Sequence, residues 1–259
     1  MNQNNHKIKI FALPFGGGSR YSYRALERLV PDNFEWETIE LPGRGTRMPE
    51  PLLTDIHAMA EDVFKQIRSR ICNAEYLLYG HSMGTLLAYE LMKRIHDLGL
   101  TRPVCLFLTG GEAPSKNRDQ KIADYEKNAF WQEVEKLGGL PKEIFENPDL
   151  KDYFEPILRS DFKATEKYVY KTLERTLPVP IFIRFGKEEG ISSVDIDEWQ
   201  KETVFTIDAK VLPGDHFFIF QHPEHLVMQI IKSYTLAKTR YYPDLSRTCV
   251  CVPAARERN

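Results

Sequence analysis

Short runs rich in β-branched and aromatic residues alternate with longer runs of helical apolar spacing, and no other property of this 259-residue sequence narrows the possible folds as far. The alternation predicts an α/β architecture, a mostly parallel central sheet with helices on both faces. Strands are expected at residues 7–13 (KIKIFAL), 36–41, 75–79, 104–109, 181–185 and 205–212, each ending at Gly, Pro or a polar turn residue. That makes a sheet of at least six strands. Ile56, Ala60, Val63, Phe64 and Ile67 recur at helical spacing, as do Met83, Leu86, Leu87, Leu91 and Ile95. The second of these helices is expected to stop near Leu98-Gly99, and a last helix to open at Pro223 and run through Leu226, Ile230 and Tyr234.

Between about residues 116 and 175 the alternation lapses. Helix-period segments rich in Tyr, Phe and Leu surround Leu137-Gly138-Gly139-Leu140-Pro141, and no strand is expected. This reads as an inserted helical lid over the carboxyl edge of the sheet, where α/β folds bind ligands. Residues 1–238 are read as one domain, since no linker-like stretch divides them, and residues 239–259 as a poorly ordered tail.

Hydrophobic residues make up 42% and charged residues 28% of the chain, so neither disorder nor a fibrous class is indicated. A formal charge of −2 with both signs interspersed lacks the basic footprint that nucleic acid or an anionic membrane surface would require. Cys72, Cys105, Cys249 and Cys251 show no zinc-type spacing, and a reducing compartment fits them. The first residues, Met1-Asn2-Gln3-Asn4-Asn5-His6, carry no apolar leader, and no run is long enough to span a bilayer. A cytoplasmic monomer is expected, with no metal and no cofactor.

The chemistry gathers at Gly80-His81-Ser82-Met83-Gly84, a G-x-S-x-G pentapeptide preceded by a strand and followed by an amphipathic helix. Such a turn lifts a serine hydroxyl out of the sheet edge on a strained backbone, and the helix start aims free N–H groups at the reacting carbonyl. Ser82 is the expected nucleophile and Met83 N–H one oxyanion donor. The second donor is assigned to Gly16 N–H, in Pro14-Phe15-Gly16-Gly17-Gly18-Ser19 after the first strand. A glycine-rich loop there also suits phosphate, but the G-x-x-x-x-G-K-[ST] pattern and the dinucleotide fingerprint are absent. A serine needs a base, and His216 alone lies between the last strand and the last helix. His222 and His225 fall at or within that helix, and His6, His57, His81 and His96 precede the last strand. The acid that orients the base is expected at the end of a late strand: Glu189, after residues 181–185, is the first choice, and Glu112, after residues 104–109, the rival. This constellation is of the α/β-hydrolase type.

Taken together these residues resemble one family, the type II thioesterases of nonribosomal peptide and polyketide synthetase systems, relatives of the medium-chain acyl carrier protein thioesterases. The resemblance covers roughly residues 8–234. Its landmarks are Leu13-Pro14-Phe15-Gly16-Gly17-Gly18-Ser19, Leu41-Pro42-Gly43-Arg44-Gly45, the Ser82 pentapeptide, Leu137-Gly138-Gly139-Leu140-Pro141, Leu158-Arg159-Ser160-Asp161-Phe162 and Pro213-Gly214-Asp215-His216-Phe217-Phe218. It implies hydrolysis of acyl or aminoacyl thioesters from the phosphopantetheine arm of an acyl or peptidyl carrier protein, an editing activity. The family usually has Asp at the position of Glu189, and Gly at that of Asp215. An acyltransferase on the same scaffold, a non-catalytic carrier-binding module and a generic carboxylesterase or lipase are the alternatives.

Overall fold

The computed structural model describes residues 7–242 apart from 73, 117, 119, 120 and 173–175. Cys249, Cys251 and residues 243–259 of the expected tail lie outside the described residues.

Six strands, β1 (Ile8–Leu13), β2 (Phe34–Thr38), β3 (Tyr76–His81), β4 (Leu106–Thr109), β5 (Ile181–Gly186) and β6 (Asp208–Leu212), pair in the order β2-β1-β3-β4-β5-β6. Every pairing is parallel. The helices are α1 (Arg24–Glu27), α2 (Ile56–Ile67), α3 (Met83–Asp97), α4 (Lys127–Leu137), α5 (Lys142–Glu146), α6 (Pro148–Glu166), α7 (Ser193–Gln200) and α8 (Pro223–Tyr241).

Because successive strand side chains point to opposite faces, the apolar strands feed two cores. Phe11, Leu13, Leu78, Leu106, Leu108 and Ile183 pack on α2, α3 and Trp199 of α7. On the other face Ile10, Ala12, Leu77, Tyr79, Phe107 and Phe182 pack on Leu26 of α1 and on Leu226, Ile230 and Tyr234 of α8. Fully burying such a side chain is worth about 1.5–3 kcal/mol, which explains why central strands that are apolar on both faces read so plainly as strands. A third, smaller core belongs to α4, α5 and α6, built on Phe130, Trp131, Val134, Ile144 and Leu158.

Strand order reverses beside β1: the chain leaves β1 to form β2 on one side, then returns to place β3 on the other. Outside the carboxyl ends of β1 and β3 the connecting segments diverge and leave a crevice, the usual ligand site of such sheets.

The structure departs from the sequence reading in four places. The strand expected at 36–41 starts and stops earlier, as β2, since Phe34 is already buried in the second core. The strand expected at 205–212 shortens to β6, because Phe205 turns aside to pack on Tyr241, ring centroids 4.5 Å apart and planes tilted by 49°. The same contact carries α8 through Thr239, Arg240 and Tyr241, which are helical rather than part of a loose tail. The short α1 and α7 carry little apolar periodicity, with Leu26 and Trp199 as their main anchors, and were not expected.

Candidate active site

β3 delivers Ser82 directly into the first turn of α3. Among the described residues Ser82 is the one non-glycine residue with positive φ, at 54°. The strain is enforced by close backbone approaches: a Cβ on Gly80 would stand 2.2 Å from the Gly84 oxygen, and one on Gly84 would stand 2.6 Å from the Leu13 oxygen. Only glycine fits at either position, which is the physical content of the pentapeptide. The Ser82 N–H donates to Thr109 O at 2.9 Å, tying the turn to the end of β4.

His216 stands in the loop between β6 and α8. Ser82 Oγ–H donates to its Nε2 at 3.0 Å, and its Nδ1–H donates to Glu189 Oε1 at 2.7 Å. An ionised carboxylate can only accept, so Glu189 selects the tautomer whose Nε2 is free to take the serine proton. Glu189 closes a single helical turn, Lys187–Glu189, directly after β5, and its other oxygen accepts the Gly186 N–H. That turn brings the Glu189 carboxylate within hydrogen-bonding distance of His216.

Glu112 also borders the cavity, but its carboxylate is 45% exposed and faces Lys116 Nζ at 3.5 Å rather than His216. The rival acid is thus not brought into the hydrogen-bonded chain. Asp215 uses its Oδ1 locally, accepting the Phe217 N–H at 2.7 Å.

Ser82, Met83, Gly16 and His216 all line one cavity of about 730 Å³, within the roughly 300–1,000 Å³ typical of small-molecule sites. Its roof is apolar and comes from α4, α6 and the segment between them, through Val134, Leu137, Leu140, Leu158 and Phe162. Met83 N–H is at the first position of α3, where no preceding carbonyl is within helical reach. Among the described residues neither it nor Gly16 N–H donates to a protein acceptor. Both residues line the cavity together with Ser82. No group of three or more His, Cys, Asp or Glu able to hold a metal ion occurs among the described residues.

Comparison with known proteins gives the family. A family profile for the thioesterase domain matches residues 8–234. The chain belongs to the thioesterase domain family. This thioesterase is 29% identical over 234 residues to the gramicidin S biosynthesis protein GrsT of Aneurinibacillus migulanus, covering 89% of this chain and 90% of that protein. It superposes on ClbQ, from the colibactin nonribosomal peptide and polyketide pathway, with a TM-score of 0.82 at 30% identity, covering 89% and 99% of the two chains. YbtT, a type II thioesterase of the yersiniabactin pathway, gives a TM-score of 0.80 at 26% identity over 92% and 96%. The fold is that of the α/β-hydrolases, and the activity is thioester hydrolysis. Among the described residues of the thioesterase no helix is long and apolar enough to cross a membrane.

Three residues of the site had no assigned role in the sequence. Arg44 and Asp161 were visible only as parts of landmarks. The available signal was a carboxylate on the apolar stripe of α6, with Ile157, Leu158 and Ala164 buried around it, since a charge on such a stripe needs a partner. His81 is the third. It is fully buried, its ring 4.9 Å from that of His216, its Nδ1–H donating to Thr109 O at 3.1 Å and its Nε2 without a partner among the described residues.

Burial first, and the neighbouring His216 second, hold the His81 imidazole well below its ordinary pKa. Its folded value is depressed below the unfolded value of about 6.5, so the stability linked to it is complete above that pH. As pH falls through about 6.5 the unfolded chain takes up a proton that folded His81 refuses, and stability drops by up to about 1.4 kcal/mol per pH unit. Urea denaturation between about pH 5 and 7.5 should show this loss in the wild type. His81→Asn, which keeps a donor for Thr109 O but does not titrate, should flatten the profile. An unchanged slope would assign the acid sensitivity to other groups.

Proposed function

We propose that Ser82 is the nucleophile, His216 the general base and Glu189 the acid that orients it, with Met83 and Gly16 N–H groups as the oxyanion hole. The observation that carries this reading is the unbroken chain of hydrogen bonds from Glu189 through His216 to Ser82 Oγ. In the first half-reaction His216 takes the Ser82 proton as Oγ attacks the thioester carbonyl. The carbonyl oxygen gains charge toward the two N–H donors, and the C–S bond breaks with His216 returning its proton to the thiolate. Water, deprotonated by the same ring, then releases the acid from the acyl-serine.

The substrate we propose is an acyl or aminoacyl group on the phosphopantetheine arm of an acyl or peptidyl carrier protein, removed as an editing step in natural-product synthesis. Support comes from the relatives, GrsT, ClbQ and YbtT, all of which belong to such biosynthetic systems. The apolar roof suits an acyl chain, with helices α4, α5 and α6 as the lid of a single domain that includes α8 through Tyr241. All five proposed functional groups come from a single chain, and the working unit we propose is a monomer, acting in the cytoplasm.

Acetyl, medium-chain and aminoacyl carrier proteins offered in parallel are expected to yield free acid and the carrier thiol. Appearance of an acceptor conjugate without free acid would replace hydrolysis by acyl transfer. Recovery of all three substrates intact by a folded protein would favour the non-catalytic carrier-binding module.

A further inference from the structure

Behind the glycine-rich loop, three segments distant in sequence meet in one buried cluster. Asp161, on the inner face of α6, accepts the Gly17 N–H on Oδ2 at 2.7 Å. Arg44, from the loop after β2, grips the same carboxylate with both terminal nitrogens, Nη1 to Oδ2 at 2.6 Å and Nη2 to Oδ1 at 2.7 Å. Arg44 Nη1 also donates to Gly18 O at 3.3 Å. The two side chains are 2% and 0% exposed.

One turn earlier on α6, Leu158 lies over the same loop: a Cβ on Gly17, whose φ is 77°, would stand 2.5 Å from Leu158 Cδ2. Helix α6 therefore rests on the loop through an apolar contact and a charged one. A run of three glycines has wide backbone freedom and cannot by itself hold an N–H in place. Gly17 N–H and the Gly16 carbonyl share one peptide plane, so holding that N–H restrains one of the two planes that flank the residue carrying the proposed second oxyanion donor.

We propose that Asp161 and Arg44 are positioning residues for the oxyanion loop, so that Gly16 N–H is held in its catalytic orientation only while lid helix α6 is seated on the loop. This rests on the reading of Gly16 as an oxyanion donor. Arg44 has a second task in the arrangement. A lone carboxylate beside the oxyanion site would oppose charge development there, and the bidentate guanidinium neutralises it. Lifting α6 to admit an acyl chain breaks the Asp161–Gly17 hydrogen bond and slackens the donor; closing restores it. Attack by Ser82 is thereby confined to the state in which α6 is seated.

The test uses hydrolysis of an octanoyl N-acetylcysteamine thioester and inhibition by a trifluoromethyl ketone of the same chain length, which forms an oxyanion on Ser82. R44M/D161L removes the ion pair as a unit, an exchange that buried pairs often tolerate, and leaves the Gly17 N–H without an acceptor. R44M/D161N removes the charges but keeps an acceptor. For R44M/D161L the expected result is a kcat lower by about tenfold to a hundredfold with KM within about twofold. Ketone affinity should fall by the same factor, and R44M/D161N should regain most of both losses. Wild-type kcat and ketone affinity in folded R44M/D161L, or equal losses in the two variants, would overturn the proposal.

Amide exchange in the wild type gives a second measurement that needs no variant. Ketone binding is expected to protect residues 16–19 and α6 together, and protection of the loop with α6 unaffected would overturn the coupling. A wild type that hydrolyses the thioester but binds the ketone no better than the corresponding alcohol would instead sink the oxyanion reading of Gly16.

Discussion

Ser82→Ala is expected to lower thioester turnover by about 10⁴- to 10⁶-fold while leaving the folded structure in place. The residual rate would come from the oxyanion donors and from substrate binding alone. Stability separates this variant from a second one at the same position. Alanine keeps a Cβ at φ 54° and so keeps the backbone strain, whereas Ser82→Gly removes it and should raise unfolding stability by about 1 kcal/mol. Steady-state kinetics with chemical denaturation of the two variants checks both statements. Equal stability of the Ala and Gly variants would mean that the turn stores no strain, and substantial turnover by either would move the nucleophile elsewhere.

Glu189→Gln is expected to reduce kcat by about 10³- to 10⁴-fold, in the range seen when the orienting acid of a serine triad becomes an amide. The amide can offer an N–H where His216 needs an acceptor, and the ring then settles with its proton on the nitrogen that faces Ser82. Glu112→Ala should change kcat less than about twofold, since its carboxylate is exposed and paired with Lys116. Glu189→Asp is the informative intermediate: the hydrogen bond to His216 is 2.7 Å with Glu, and the shorter side chain has to recover that reach through movement of the turn after β5. The reverse pattern, with Glu112→Ala inactive and Glu189→Gln active, would exchange the two assignments.

The sheet, and the proposed nucleophile and base, were legible because each follows from local rules. Strands such as β3 and β4 are apolar on both faces along most of their length and end at glycine or polar residues, and Gly80 and Gly84 are demanded by the close approaches of the strand-to-helix turn, to the Gly84 oxygen and to the Leu13 oxygen. His216 was found by its place between β6 and α8. The choice between Glu189 and Glu112 was not open to the same reasoning, because it depends on how a turn after β5 aims one side chain across the sheet edge. Nor could pattern alone show that Arg44 and Asp161 meet, 117 residues apart. Helix α7 was hidden for another reason: it is short, its exposed Val194 and buried Asp195 contradict apolar periodicity, and its start is set by the Ser192–Asp195 capping box.

The proposed base stands at the outer margin of the sheet. Ser82 follows a strand enclosed on both sides, but His216 follows β6, which has β5 as its single neighbour and leaves Lys210 and Val211 exposed. Local opening free energies are lowest at such margins, where few apolar contacts and many solvent-facing hydrogen bonds resist separation. A sub-global excursion that peels β6 away would carry the imidazole out of reach of an otherwise intact nucleophile. Loss of the proposed base is then expected ahead of global unfolding, with the rim of the sheet rather than its core governing how long activity lasts.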